Sequence, residues 1–223
     1  MTTADLAARL PSIATLREWC LSLAVLDAIL VPEWEWRSFS FDADWAPSQE
    51  MASMRNGSGD EYSITFTPAG AYVRGFDHES PLSPWAFRPV AVVRGLIDRV
   101  PASLRECAVE PAFTMDGIPQ VTGCLWREGS DNARQFGSPA RPELAGEDGG
   151  AATLFAELDG KPETYVAFAA EVNEVELDLD QVRAVFERRP ICAAFVARLN
   201  PAADAGDVLA ELRSMGYPTD LGR

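Results

Sequence analysis

The apolar positions of this chain change period along its length. Between residues 15 and 31, Leu16, Trp19, Cys20, Leu23, Leu26 and Leu30 recur at three- and four-residue intervals, which is the spacing of one helix face. Thr15 and Glu18 have the T-x-x-E spacing of a capping box, and Pro32 stops the run. Residues 33–42 (EWEWRSFSFD) then alternate, with a slip of phase between Trp36 and Phe39 that predicts a strand carrying a bulge. Residues 61–67 (EYSITFT) alternate again, with Tyr62, Ile64 and Phe66 on one side. Pro68, Ala69 and Gly70 supply a turn, and 71–76 returns as the second strand of a hairpin.

A connection punctuated by Pro81, Pro84 and Pro89 follows. Pro101 opens a short helical stretch to Cys107, and residues 119–127 read as a further strand. From 128 to 150 the chain is polar, rich in Gly and Pro and without period, so a subdomain boundary is expected there if anywhere. Beyond it the helical period returns, with candidates at 151–158, 162–173, 179–189, 191–199 and 205–215. Asp178 with Gln181, and Asp204, are the expected caps, and Gly216 before Pro218 is the last stop. Helix, then antiparallel strands, then a run of helices predicts a single α+β domain.

Composition narrows the function classes. At 223 residues, 47% hydrophobic and 24% charged, the chain can bury a proper core. No apolar run reaches a membrane-spanning length, and the start (MTTADLAARL) lacks a basic segment followed by an apolar one. No membrane association is expected, and a cytoplasmic location is. Cys20, Cys107, Cys124 and Cys192 are too scattered for a zinc ribbon or a disulfide framework. A net charge of −15, with no basic stripe, argues against nucleic acid and in favour of a basic partner. Residues 143–180 hold eleven carboxylates against Lys161 alone, two thirds of the whole-chain charge. Within them Glu171, Glu174, Glu176, Asp178 and Asp180 form the candidate partner-binding face; a solvated helical surface is the plainer reading of the same residues.

Histidine chemistry has a single agent, His78, flanked by Asp77 and Glu79. If this stretch is extended, the two acids point to one side and the imidazole to the other. His78 is then a candidate acid or base with a carboxylate to orient it. An all-oxygen Mg²⁺ or Ca²⁺ site from Asp60, Glu61, Asp77 and Glu79 is the metal alternative. Arg55 and Asp60 complete the candidate catalytic set of Arg55, Asp60, Asp77, His78 and Glu79. Asn56-Gly57-Ser58-Gly59-Asp60 lacks the lysine of a phosphate-binding loop and precedes a strand, so it reads as a tight turn. Trp34, Trp36, Trp45 and Trp85 are candidates for a pocket lining or for core. No cofactor is expected, and the oligomeric state is left open.

The block from Ser53 to Pro84, with REWCLSLAVLDAILVPEWEWRSFSF before it and LNP and GYP near the end, resembles a group of uncharacterised bacterial cytoplasmic proteins. That resemblance implies one compact unit and brings no catalytic residues. In size and charge the chain also looks like the immunity proteins that neutralise bacterial toxins, an analogy without a motif. The expectation is a non-enzymatic protein that binds a basic partner. The alternative is a small enzyme or a metal- or ligand-binding protein centred on Asp77, His78 and Glu79.

Overall fold

The computed structural model describes residues 2–220. Two helices open the chain, α1 (Thr3–Arg9) and α2 (Ile13–Leu30). α1, absent from the sequence expectation, is held by a capping box in which Thr2 and Asp5 bond each other's backbone amides. α2 begins earlier than the Thr15–Glu18 spacing suggests. Ser12 is its cap, accepting from the Thr15 amide at 3.1 Å, and Pro11 fixes the entry. Every residue from Cys20 to Ile29 is buried, so α2 is a central helix wrapped on all sides.

Four antiparallel strands follow: β1 (Phe39–Ala46), β2 (Gln49–Arg55), β3 (Glu61–Thr67) and β4 (Gly70–Phe76). The predicted strand over 33–42 is corrected here. Trp34–Trp36 form a 3₁₀ turn, so the slip of phase marks the junction with β1, and the irregularity lies further on, between Asp42 and Ala46. After short α3 (Arg105–Ala108) and the two-residue strands β5 (Thr114–Met115) and β6 (Ile118–Pro119), β7 (Gly123–Glu128) pairs with β4. β7 therefore starts four residues later than expected. β8 (Gln135–Phe136) closes the order β1-β2-β3-β4-β7-β8.

Register assigns the two faces. Phe41, Ala52, Ile64, Val73 and Leu125 lie opposite one another in successive strands, and all are buried in the main core beneath the helices. Their neighbours Ser40, Ser53, Ser63, Arg74 and Cys124 make the corresponding row on the opposite face. That second face is covered at its β4–β7 half by a smaller core, in which Tyr72, Cys124 and Trp126 pack on Val100, Leu104 and Val121. Over the β1–β3 half no such cluster forms among the described residues; Trp34, Trp45 and Phe113 instead line a cleft there, with Ser40 and Ser53 on its floor.

The C-terminal helices are α4 (Pro162–Val172), α5 (Leu179–Phe186), α6 (Ala193–Leu199) and α7 (Ala205–Ser214); α5, α6 and α7 pack on α2. Residues 151–158 are successive turns, not the expected helix. Gly149 and Gly150 both have positive φ, and a Cβ on Gly149 would lie 2.2 Å from the Thr122 carbonyl oxygen, so the chain is pressed against β7 before a helix can start. The predicted helices 179–189 and 191–199 are each trimmed at one end. Asp178 caps α5 through the Asp180 amide, and Asp204 caps α7 as expected. The main core runs from Leu6 to Tyr217, so chain on both sides of the 128–150 segment contributes to it. Among the described residues no helix is long and apolar enough to cross a membrane.

Candidate functional site

The turn between β2 and β3 and the turn that follows β4 meet at one end of the sheet. In the first, Asn56 Oδ1 accepts from the Ser58 and Asp60 amides at 2.8 and 3.2 Å, while Gly57 and Gly59 take the positive φ values the bend requires. This is the expected tight turn. In the second, Asp77 Oδ1 accepts from the Glu79 and Ser80 amides at 3.0 and 3.1 Å. Residues 77–80 are therefore bent, and the extended reading with Asp77 and Glu79 on one side is corrected.

Bending brings His78 onto Asp60. A single carboxylate oxygen, Asp60 Oδ1, lies 2.7 Å from His78 Nδ1 and accepts the His78 backbone amide at 3.0 Å. The other oxygen accepts from Asn56 Nδ2 at 2.8 Å. Gly59 leaves room for the ring, since a Cβ there would stand 3.4 Å from His78 Nδ1. The Asp60 bond raises the His78 pKa above its ordinary value, against the opposing effect of burial. For Asp60, partial burial pushes upward, but the His78 and Asn56 hydrogen bonds together hold the pKa below the usual value. Asp77 is tied to the rest of the fold through its amide, which donates to Thr122 Oγ1 at 3.0 Å, and Thr122 in turn donates to the Gly149 carbonyl at 2.7 Å.

Asp60, Asp77 and His78 each present a ligand atom within 4.8 Å of the others. A carboxylate pair with one imidazole is a fair donor set for a divalent transition metal. A metal takes the unprotonated imidazole, so loading would improve as pH rises and His78 loses its proton. The His78 side chain is 44% exposed, on an open turn rather than in a dry pocket.

The remaining expected members lie elsewhere. Glu79 is exposed and outside the three-residue group. Glu61 is drawn away by Arg74, whose Nη2 donates to it at 2.7 Å, so the all-oxygen set does not assemble. Arg55 turns to the cleft face, where Nε donates to the Arg37 carbonyl at 3.1 Å and Nη2 to the Trp34 carbonyl at 2.7 Å. Trp34 and Trp45 line that cleft, whereas Trp36 stands 73% exposed.

The acidic residues 171–180 lie on the last turn of α4, an extended link and the first turn of α5. Glu171, Glu174, Glu176, Asp178 and Asp180 are all exposed, and from 174 onward they alternate with half-buried Val175, Leu177 and Leu179. Of the five, Asp180 is in an ion pair, 2.6 Å from Arg183 Nη1. Glu174 holds φ +55°, a conformation glycine occupies at less cost.

Comparison of the chain with protein-family models, with curated proteins and with solved structures finds no match.

Proposed function

We propose that this is a non-enzymatic binding protein that presents its 171–180 edge to a basic protein partner, as an immunity-type protein would. The observation that carries this reading is the alternation just described: exposed acids alternate with half-buried Val175, Leu177 and Leu179, of which Leu177 packs against the main core. Four of the five carboxylates have no cation within ion-pair distance among the described residues. Like-charged groups held this way repel one another in the free protein, and a basic surface relieves that repulsion while being steered toward it. The test begins with a partner recovered from the host. Its association is then compared for the parent and for a variant carrying Glu171→Gln, Glu174→Gln, Glu176→Gln, Asp178→Asn and Asp180→Asn. The expected result is an association rate lower by at least about tenfold and a weaker dependence on salt. Equal rates for the two proteins would rule the acidic edge out.

The convergence of Asp60, Asp77 and His78 supports a second reading, a divalent-metal site at the sheet end. Calorimetric titration with Zn²⁺ or Mn²⁺ at pH 8 tests it. Binding that is lost in both His78→Gln and Asp77→Asn supports the site, and heats unchanged by either variant exclude it.

A further inference from the structure

We propose that the cleft over the β1–β3 half of the sheet is a binding site for a small planar carboxylate. Its floor is the serine row: Ser40 and Ser53 face each other across β1 and β2, with their hydroxyl oxygens 2.7 Å apart. Whichever donates, the other keeps a hydrogen with no acceptor among the described residues. Its walls are aromatic. Trp34 lies under Arg55, with the guanidinium 4.6 Å from the ring centroid. Trp45 stacks on Phe113 at 6.1 Å and 16°, and Phe113 in turn covers Arg74 at 4.2 Å. Ser40 and Trp45 are five positions apart, so a regular strand would put them on opposite faces. The irregularity between Asp42 and Ala46 turns Trp45 back over the serines.

The cleft is partly open to solvent and has a volume of about 220 Å³. At about 30 Å³ per water that is space for roughly seven waters, or one substituted aromatic ring. The charge in it without an acidic partner among the described residues is Arg55. Its cross-strand neighbour Glu61 also lines the cleft, but the Glu61 charge is matched by Arg74. Arg37, the other guanidinium on the wall, is paired with Glu211. Arg55 is thus left with carbonyl partners only, and its Nη1 makes no hydrogen bond among the described residues. In a chain of net charge −15, a cleft with one uncompensated cation, spare hydroxyl hydrogens and flat aromatic walls selects a planar ring bearing an anion. The ring packs against Trp34 and Trp45, and the carboxylate accepts from Arg55 Nη1 and the spare serine hydroxyl.

Benzoate, indole-3-carboxylate and neutral benzamide are the probes, followed by quenching of tryptophan fluorescence and by the shifts of the Trp34 and Trp45 indole N–H resonances. A ligand of this size is expected to saturate in the millimolar range or below. Benzamide should bind at least about tenfold more weakly than benzoate. Arg55→Gln should bring the carboxylates down to the benzamide level, and Arg55→Lys should restore part of the difference. Ser53→Val, which fills the floor and leaves Arg55 in place, should block all three probes. Absence of saturation up to ~10 mM, equal binding of benzoate and benzamide, or wild-type affinity in Ser53→Val would each overturn the proposal.

Discussion

Asp27 lies within α2, 1% exposed, at the junction of three elements. One oxygen accepts from the Tyr165 hydroxyl at 2.6 Å, and the other accepts from the Ser38 and Phe39 amides at 2.8 Å each. α2, the start of β1 and α4 are thereby joined at a single carboxylate. Burial pushes its pKa up to about 6, and these hydrogen bonds keep it from going further. An unfolded aspartate titrates at about 3.9, so between about pH 4 and 6 the folded chain binds a proton that the unfolded chain has released. The stabilisation linked to this group is therefore full below about pH 4 and is lost as pH rises through about 6. Asp27→Asn, which keeps the shape, should remove that component. In urea melts across pH 4–7, the difference in stability between parent and variant should change steadily; parallel curves would show that Asp27 does not titrate in this window. Tyr165→Phe should cost about 1.5–3 kcal/mol at pH 7, the range for a hydrogen bond to a charged group, and shift the Asp27 titration to higher pH. His78 offers a second residue-scale reading, because as the only histidine it gives one clean imidazole resonance. Its midpoint should lie above the ordinary value and fall back toward it in Asp60→Asn. The part of the stability linked to His78 is present at low pH and is lost as pH rises through that raised midpoint.

At the level of elements, helix ends are secured by residues remote in sequence. The last carbonyls of α2 are taken by Asn200 Nδ2, which donates to Ile29 at 2.9 Å and Leu30 at 3.3 Å, and by Arg37, which donates to Val31 at 2.7 Å. Asn200→Ala strips two of these carbonyls and should cost about 1–2 kcal/mol in a denaturant melt, with little change in the far-ultraviolet spectrum. Such long-range caps also explain what the sequence made legible. α2, the β3–β4 hairpin and α7 announce themselves through period, turn residues and caps that lie within a few positions. β2 (QEMASMR) does not, because its small and polar residues have weak strand preference and it forms by pairing on both sides with β1 and β3. Residues 151–158 mislead in the other direction. Leu154, Phe155 and Leu158 have helical spacing, but their contacts are made from turns set by the flanking glycines. The site divides in the same way. Asp77 and His78 were visible by adjacency, whereas the Asp60 contact depends on how two turns bend. The serine floor of the cleft is invisible without register, since Ser40 and Ser53 are thirteen residues apart. Glu174 joins this scale to the next. Glu174→Gly relieves a left-handed residue at the end of α4 and should raise stability by about 0.5–1 kcal/mol, while removing one of the proposed partner contacts.

For the molecule as a whole, charge and architecture pull in different directions. The helical side of the sheet is closed over one continuous core, and the fold draws its cohesion from there. The carboxylates of 171–180 sit at the margin of that core, where they add repulsion and almost no pairing. With a net charge of −15, the compact state should gain from screening. Raising ionic strength from about 0.01 to 0.15 M shortens the Debye length from about 30 to 8 Å, which is enough to separate one part of the acidic surface from another. The thermal midpoint should therefore rise over this range in NaCl, before any specific salt effect enters. A neutral variant at 171, 174 and 176, which leaves the Asp178 cap and the Asp180–Arg183 pair in place, should be more stable than the parent at low salt and respond less to added NaCl. If the acidic edge serves a partner, the same variant should bind that partner more slowly, so that stability and association move in opposite directions. A variant that loses stability at low salt would show instead that these acids hold the α4–α5 link in place, and a slower association measured with it would then reflect a damaged surface rather than missing charge.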